Sequence, residues 1–99
     1  MMIYVAHKHQ DSSINYERAK QIVHDLQVND LNNVYICPLL LLSHMKYGEM
    51  GYKAEIDLCL DILSVCDKLV VASDISRGVN DEIAFANLVG IEVEWLEDT

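Results

Sequence analysis

Short runs of β-branched and apolar residues alternate along this chain with segments whose apolar positions recur every three or four residues. "MIYVA" (2–6), "NVYIC" (33–37), "KLVVA" (68–72) and "IEVEWL" (91–96) have the composition and length of strands. Between the first two, residues 14–28 carry Ala19, Ile22, Val23 and Leu26 at i, i+3, i+4 and i+7, the apolar stripe of a helix. Ser12 or Ser13 is placed to cap it. A second helix is predicted over 52–65, burying Ile56, Cys59, Leu60 and Leu63. A third is predicted over 79–89, closed by Gly90, a residue suited to the left-handed position after a helix. Pro38 ends the second strand.

Strands that alternate with helices imply right-handed crossovers and a parallel sheet covered on both faces. Only "IEVEWL" alternates between apolar and acidic residues, so it is expected at an edge with one wet face. Ligands of such sheets bind beyond the carboxyl ends of the strands. The loops leaving those ends are "HKHQDSS" (7–13), "PLLLLSHMKYGEMG" (38–51) and "SDISRGVN" (73–80). These are the places to look for chemistry.

Ninety-nine residues make one domain, small enough to gain from packing against copies of itself. Seven basic against sixteen acidic residues give a net charge of −9. Nothing supplies the basic stripe that a nucleic-acid polymer requires, whereas a small neutral or singly charged ligand stays open. The longest apolar run, "ICPLLLL" (36–42), is too short for a bilayer and contains a proline. "MMIYVAHKHQ" lacks the basic lead and long apolar stretch of a signal peptide, so no membrane and a cytoplasmic location are expected. Cys37, Cys59 and Cys66 lie inside apolar runs and read as buried, reduced thiols; Cys59 and Cys66 are too far apart for a CxxC pair. His7 and His9 have no third ligand nearby. Neither a metal nor a cofactor is predicted.

The pieces "IYVAH", "NYERA" (15–19), "LDILSVCDKLVVASD" (60–74) and "SRGVNDEIAFA" (76–86) followed by "GIEVEWL" form one pattern. It resembles the nucleoside 2-deoxyribosyltransferase-like superfamily, most closely its small bacterial and phage members. The likeness covers nearly the whole chain. Its most specific part is Ser76-x-Gly78-Val79-x-x-Glu82-Ile83-x-x-Ala86, and the loop at 38–52 matches least. The resemblance implies an α/β, flavodoxin-like doubly wound sheet of four to five strands, in the order 2-1-3-4. It also implies a nucleophilic glutamate at position 82 that attacks C1′ of a deoxyribose and expels the base, after which a second base or water resolves the glycosyl-enzyme. Relatives carry an additional acid in the helix before the third strand. Their spacing lands on Cys59, which leaves Asp57, nearby, and Asp74, at a strand end, as the candidates. Relatives also place glycine in the first loop, and "HKHQDSS" has none.

Each of these residues also has a plain structural role open to it. Glu82 is either a plain acid of the first helical turn or a nucleophile, which the helix dipole would hold charged. Ser76 caps the last helix or bonds a sugar or phosphate. Gly78 permits a tight turn or lets a ligand approach. Asp57 and Asp61 share a helix face, where Lys53 pairs with Asp57 on the solvated side. Asp74 is a turn residue or a site acid. Tyr4 is core or a ring facing the sugar, and His7 lines the first loop. His44, Met45 and Tyr47 belong to a loop that covers a base or packs on a neighbour. The expected function is therefore deoxyribosyl transfer or N-glycosidic cleavage of a nucleoside or nucleotide. Glu82 is its nucleophile, with Asp57 or Asp74 as acid and Tyr4, His7, Ser76 and Gly78 as lining. A non-catalytic nucleoside-binding module on the same scaffold is the alternative. The apolar "PLLLLSHM" predicts a homodimer or larger assembly that completes the pocket.

Overall fold

In a computed structural model, which describes residues 1–9, 13–45 and 49–96, the strand-like runs become β1 (Met2–Ala6), β2 (Val34–Ile36), β3 (Lys68–Val71) and β4 (Glu92–Trp95). They form one parallel sheet in the order β2-β1-β3-β4, the doubly wound, flavodoxin-like arrangement the sequence predicts. The register runs Tyr4 beside Ile36 on one flank and beside Leu69 on the other. The helices are α1 (Ser13–Val28), a single turn α2 (Pro38–Leu41), α3 (Tyr52–Ser64) and α4 (Arg77–Val89). The long second loop supplies α2, and among the described residues it adds no fifth strand. Ser13 opens α1 rather than preceding it, while Ser12, like Tyr47, lies outside the described residues.

The sheet separates two apolar layers. Tyr4, Ala6, Leu69 and Val71 face α3 and α4 and pack with Leu63, Cys66, Val79 and Ala86. Val5 faces α1 with Ala19 and Cys37. The alternation within β1 therefore sends Tyr4 to one layer and Val5 to the other, as a period of two requires. Gly90 ends α4 in the left-handed conformation at φ 82°, as its position after the last apolar residue predicts.

Towards β4 the α1 side of the sheet carries charge instead of a helix. Lys68 on β3 reaches Glu92 at 3.6 Å and forms a closer ion pair with Glu94. This explains the alternation in "IEVEWL": Val93 joins the core under α4, and Glu92 and Glu94 stand on the wet face. Trp95 is 53% exposed. No described helix is long and apolar enough to cross a membrane.

Candidate functional site

The chain leaves β1 towards β2 on one side and later returns to β3 on the other. Strands β1 and β3 thus flank the point where the winding reverses, and a crevice opens beyond their carboxyl ends. A cavity of about 400 Å³ occupies this place. The β1 end contributes Val5, His7 and His9, and the β2 end contributes Cys37 and Pro38. Leu39, Leu42, Met45 and Met50 form an apolar, sulfur-rich wall. Helix α3 presents Tyr52, Glu55, Ile56 and Cys59, and the start of α4 presents Ser76 to Val79 with Glu82 one turn deeper.

Glu82 is the chemical centre of this cavity. Its side chain is among the buried core residues at 7% exposure, although it is ionisable. The Tyr4 hydroxyl, from a residue with no exposed surface, donates a hydrogen bond to Glu82 Oε2. Among the described residues no hydrogen bond occupies Oε1. Burial pushes the carboxyl from the usual 4.5 up to about 7; the Tyr4 bond pulls it down and the nearby Asp81 charge raises it. Helix α4 begins at Arg77, two residues earlier than the apolar pattern predicts, so Glu82 falls in its second turn. The expectation that the helix dipole holds it charged is therefore replaced. Desolvation sets its state, and the phenol supports its ionised form.

Ser76 caps α4, its Oγ accepting from Val79 N at 3.3 Å. Gly78 has helical backbone and needs no special φ, so the tight-turn explanation does not apply. A methyl group there would meet nothing nearer than Tyr52 Oη at 4.0 Å. The glycine that does need its freedom is Gly51, which precedes α3 at φ 82° and ψ 151°, a conformation open essentially to glycine alone. His7 lines the cavity. Its Nδ1 donates to the Lys8 carbonyl at 2.8 Å, and burial holds the ring below the usual histidine range, so Nε2 is left as an acceptor.

Neither predicted aspartate is in the cavity wall. Asp57 is exposed and pairs with Lys53 at 2.9 Å, the solvated-face arrangement. Asp74 is likewise exposed and pairs with Lys8 at 2.7 Å, which lowers its pKa. The structure thus joins Tyr4, His7, Ser76, Gly78 and Glu82 around one cavity and leaves Asp57 and Asp74 outside it.

Sequence reasoning missed Tyr52, Glu55 and Arg77. Tyr52 donates from its hydroxyl to Asp81, and the Arg77 guanidinium lies 4.0 Å from the centre of the Tyr52 ring. Together these fasten the first turn of α3 to the first turns of α4 at the cavity wall. Glu55 stands between them and Cys59 on the same face of α3. Tyr52, Glu55, Ile56 and Cys59 fall at i, i+3, i+4 and i+7, so they share one half-buried helix face, although their mixed polarity hides it from a hydropathy pattern. Cys37 and Cys59 are free thiols, and burial pushes them up to about 11 and about 12. Much of the run "PLLLLSHM" points inward: Pro38 is buried and Leu39, Leu42 and Met45 line the cavity, with Leu41 exposed at 56%. Among the described residues no three potential metal-binding side chains come together.

Compared with protein-family models, with curated proteins and with solved structures, the chain matches none.

Proposed function

We propose that this protein cleaves the bond between base and deoxyribose in a nucleoside or nucleotide, with Glu82 as nucleophile. The observation that carries the proposal is the Glu82 carboxyl itself, buried at a cavity wall and held by the Tyr4 hydroxyl. A structural acid in a core costs stability and is rarely retained without a partner cation. Here the partner is a phenol, which supports the anion without neutralising it. With its pKa at about 7, the carboxyl is ionised in a large fraction of molecules near neutral pH. It remains poorly hydrated and so nucleophilic.

In the reaction, Glu82 forms a bond from its free carboxylate oxygen to C1′ as the C1′–N bond breaks. The electron pair leaves with the base, which takes up a proton. Water or a second base then attacks C1′ and restores the carboxylate. Tyr4 fixes Oε2 so that the other oxygen is presented. His7, neutral with an accepting Nε2, is suited to bonding a sugar hydroxyl or the incoming water. The apolar wall of Leu39, Leu42 and the two methionines suits the flat face of a base.

The second reading is a binding module without catalysis, favoured by the absence of both predicted aspartates from the cavity. Incubation with deoxynucleosides and their 5′-monophosphates, with free base measured by chromatography, separates the two. Base release that disappears in Glu82→Ala supports catalysis. Ligand binding with no release, unchanged in Glu82→Gln, supports the module.

A further inference from the structure

We infer that Glu55 is the acid that protonates the departing base, in the role for which the sequence offers Asp57 and Asp74. The inference rests on Glu82 acting as the nucleophile. It starts from the geometry of α3. Asp57 is two residues from Glu55, roughly 200° around a helix, which is why one faces solvent and the other faces the cavity. Asp57 is already paired with Lys53, whereas the half-buried Glu55 side chain makes no hydrogen bond or ion pair among the described residues.

The position of Glu55 relative to the nucleophile follows from one helical turn. Cys59 lies four residues on, about 6 Å along the helix axis. Its thiol lies beside the Tyr4 hydroxyl, and that hydroxyl bonds Glu82. Glu55 and Glu82 are thus two carboxyls on one cavity, carried by different helices and separated by the Cys59–Tyr4 contact. Met50, Gly51 and Ile56 line the same cavity as Glu55 and add apolar or bare surface to it. A base filling this space displaces water from both carboxyls.

The proton balance is then complete. As Glu82 bonds C1′, the base nitrogen receives the C1′–N electron pair and the proton of Glu55. Glu55, now a carboxylate, takes a proton from the water that attacks C1′. The products are free base, deoxyribose and the enzyme in its starting state.

The test compares two leaving groups. 2′-Deoxyguanosine needs a proton to leave, whereas its N7-methylated cation leaves as a neutral base without one; both are assayed with their 5′-monophosphates. The expected result is a fall in kcat/KM of at least about 100-fold for Glu55→Gln on the unmethylated substrates and of less than about 5-fold on the methylated ones. Added formate should restore Glu55→Ala, a readout that a purely structural role would not give and that remains usable if the glutamine variant folds poorly. Equal losses on both leaving groups, or no loss on either, would overturn the assignment of Glu55 while leaving Glu82 intact. No base release by wild-type protein from any of the four substrates, with no glycosyl adduct on Glu82 by intact mass, would overturn both.

Discussion

Replacing Glu82 with glutamine should shift the stability difference between variant and wild type in the variant's favour as pH rises from acid to alkaline. The carboxyl titrates at about 7 in the folded chain against an ordinary 4.5, because its charged form is poorly solvated inside. The folded state therefore holds this proton over a window in which the unfolded state has lost it. Its contribution to stability is complete below about pH 4.5 and is lost as pH rises through about 7. At 1.36 kcal/mol for each tenfold change in proton affinity, the difference amounts to about 3 kcal/mol. Glutamine has the same shape and no charge to desolvate, so the variant escapes that loss. Its amide also leaves a donor short of partners, but this cost is the same at every pH. The informative quantity is thus the change, between about pH 4 and about pH 8.5, in the stability difference between variant and wild type. Contributions from groups that do not interact with Glu82 cancel in that comparison. Urea unfolding followed by the fluorescence of Trp95, on the edge strand β4, provides the assay. A shift of about 3 kcal/mol in favour of the variant on going to high pH is expected. A difference that stays within about 1 kcal/mol across the range, or grows in the opposite direction, would refute the claim that burial governs Glu82.

The same reasoning gives further outcomes. Tyr4→Phe removes the bond that supports the Glu82 anion, so it should cost about 1–3 kcal/mol above pH 7, less in acid, and move the rise of activity with pH to more alkaline values. Paired pH–rate and urea curves check both effects. Gly51→Ala should lose about 1–3 kcal/mol because of its backbone conformation. Gly78→Ala should hold or gain up to about 1 kcal/mol in a helical position with space, yet weaken nucleoside binding; thermal melts and calorimetry distinguish the two glycines. Iodoacetamide should label Cys37 about 100-fold more slowly than a thiol of ordinary acidity at neutral pH, since burial pushes it up to about 11. A bound nucleoside should slow it further, read by peptide mass spectrometry.

The strands and helices were legible because period-two and period-3.6 patterns are properties of local sequence, whereas the sheet order came from the resemblance to a doubly wound family. The start of α4 was misplaced by two residues, since Arg77 and Gly78 carry no apolar signal while Ser76 caps the helix from outside it. That small shift matters chemically, for it moves Glu82 from the dipole of a first turn to the dry interior of a second. The acid on α3 was missed for a related reason. Asp57 and Asp61 stand at a familiar pair spacing, whereas the stripe from Tyr52 to Cys59 includes an aromatic, an acid and a thiol that no hydropathy pattern groups together. Only the tertiary closure of α3 onto α4, through Tyr52, Asp81 and Arg77, shows which face of that helix looks inward. The destination of "PLLLLSHM" was hidden in the same way, because an apolar run does not state whether it covers a cavity or a neighbour.

The charges of Glu92, Lys68 and Glu94 also affect how molecules behave towards each other. β4 is an outermost strand whose free backbone groups could template a matching strand from a second copy. Two such strands laid side by side would bring their glutamates into register, like against like, while each molecule has a single lysine there to offset two acids. The rim is thereby protected from stacking into ribbons. Because the repulsion acts through solvent, this protection weakens as ionic strength rises.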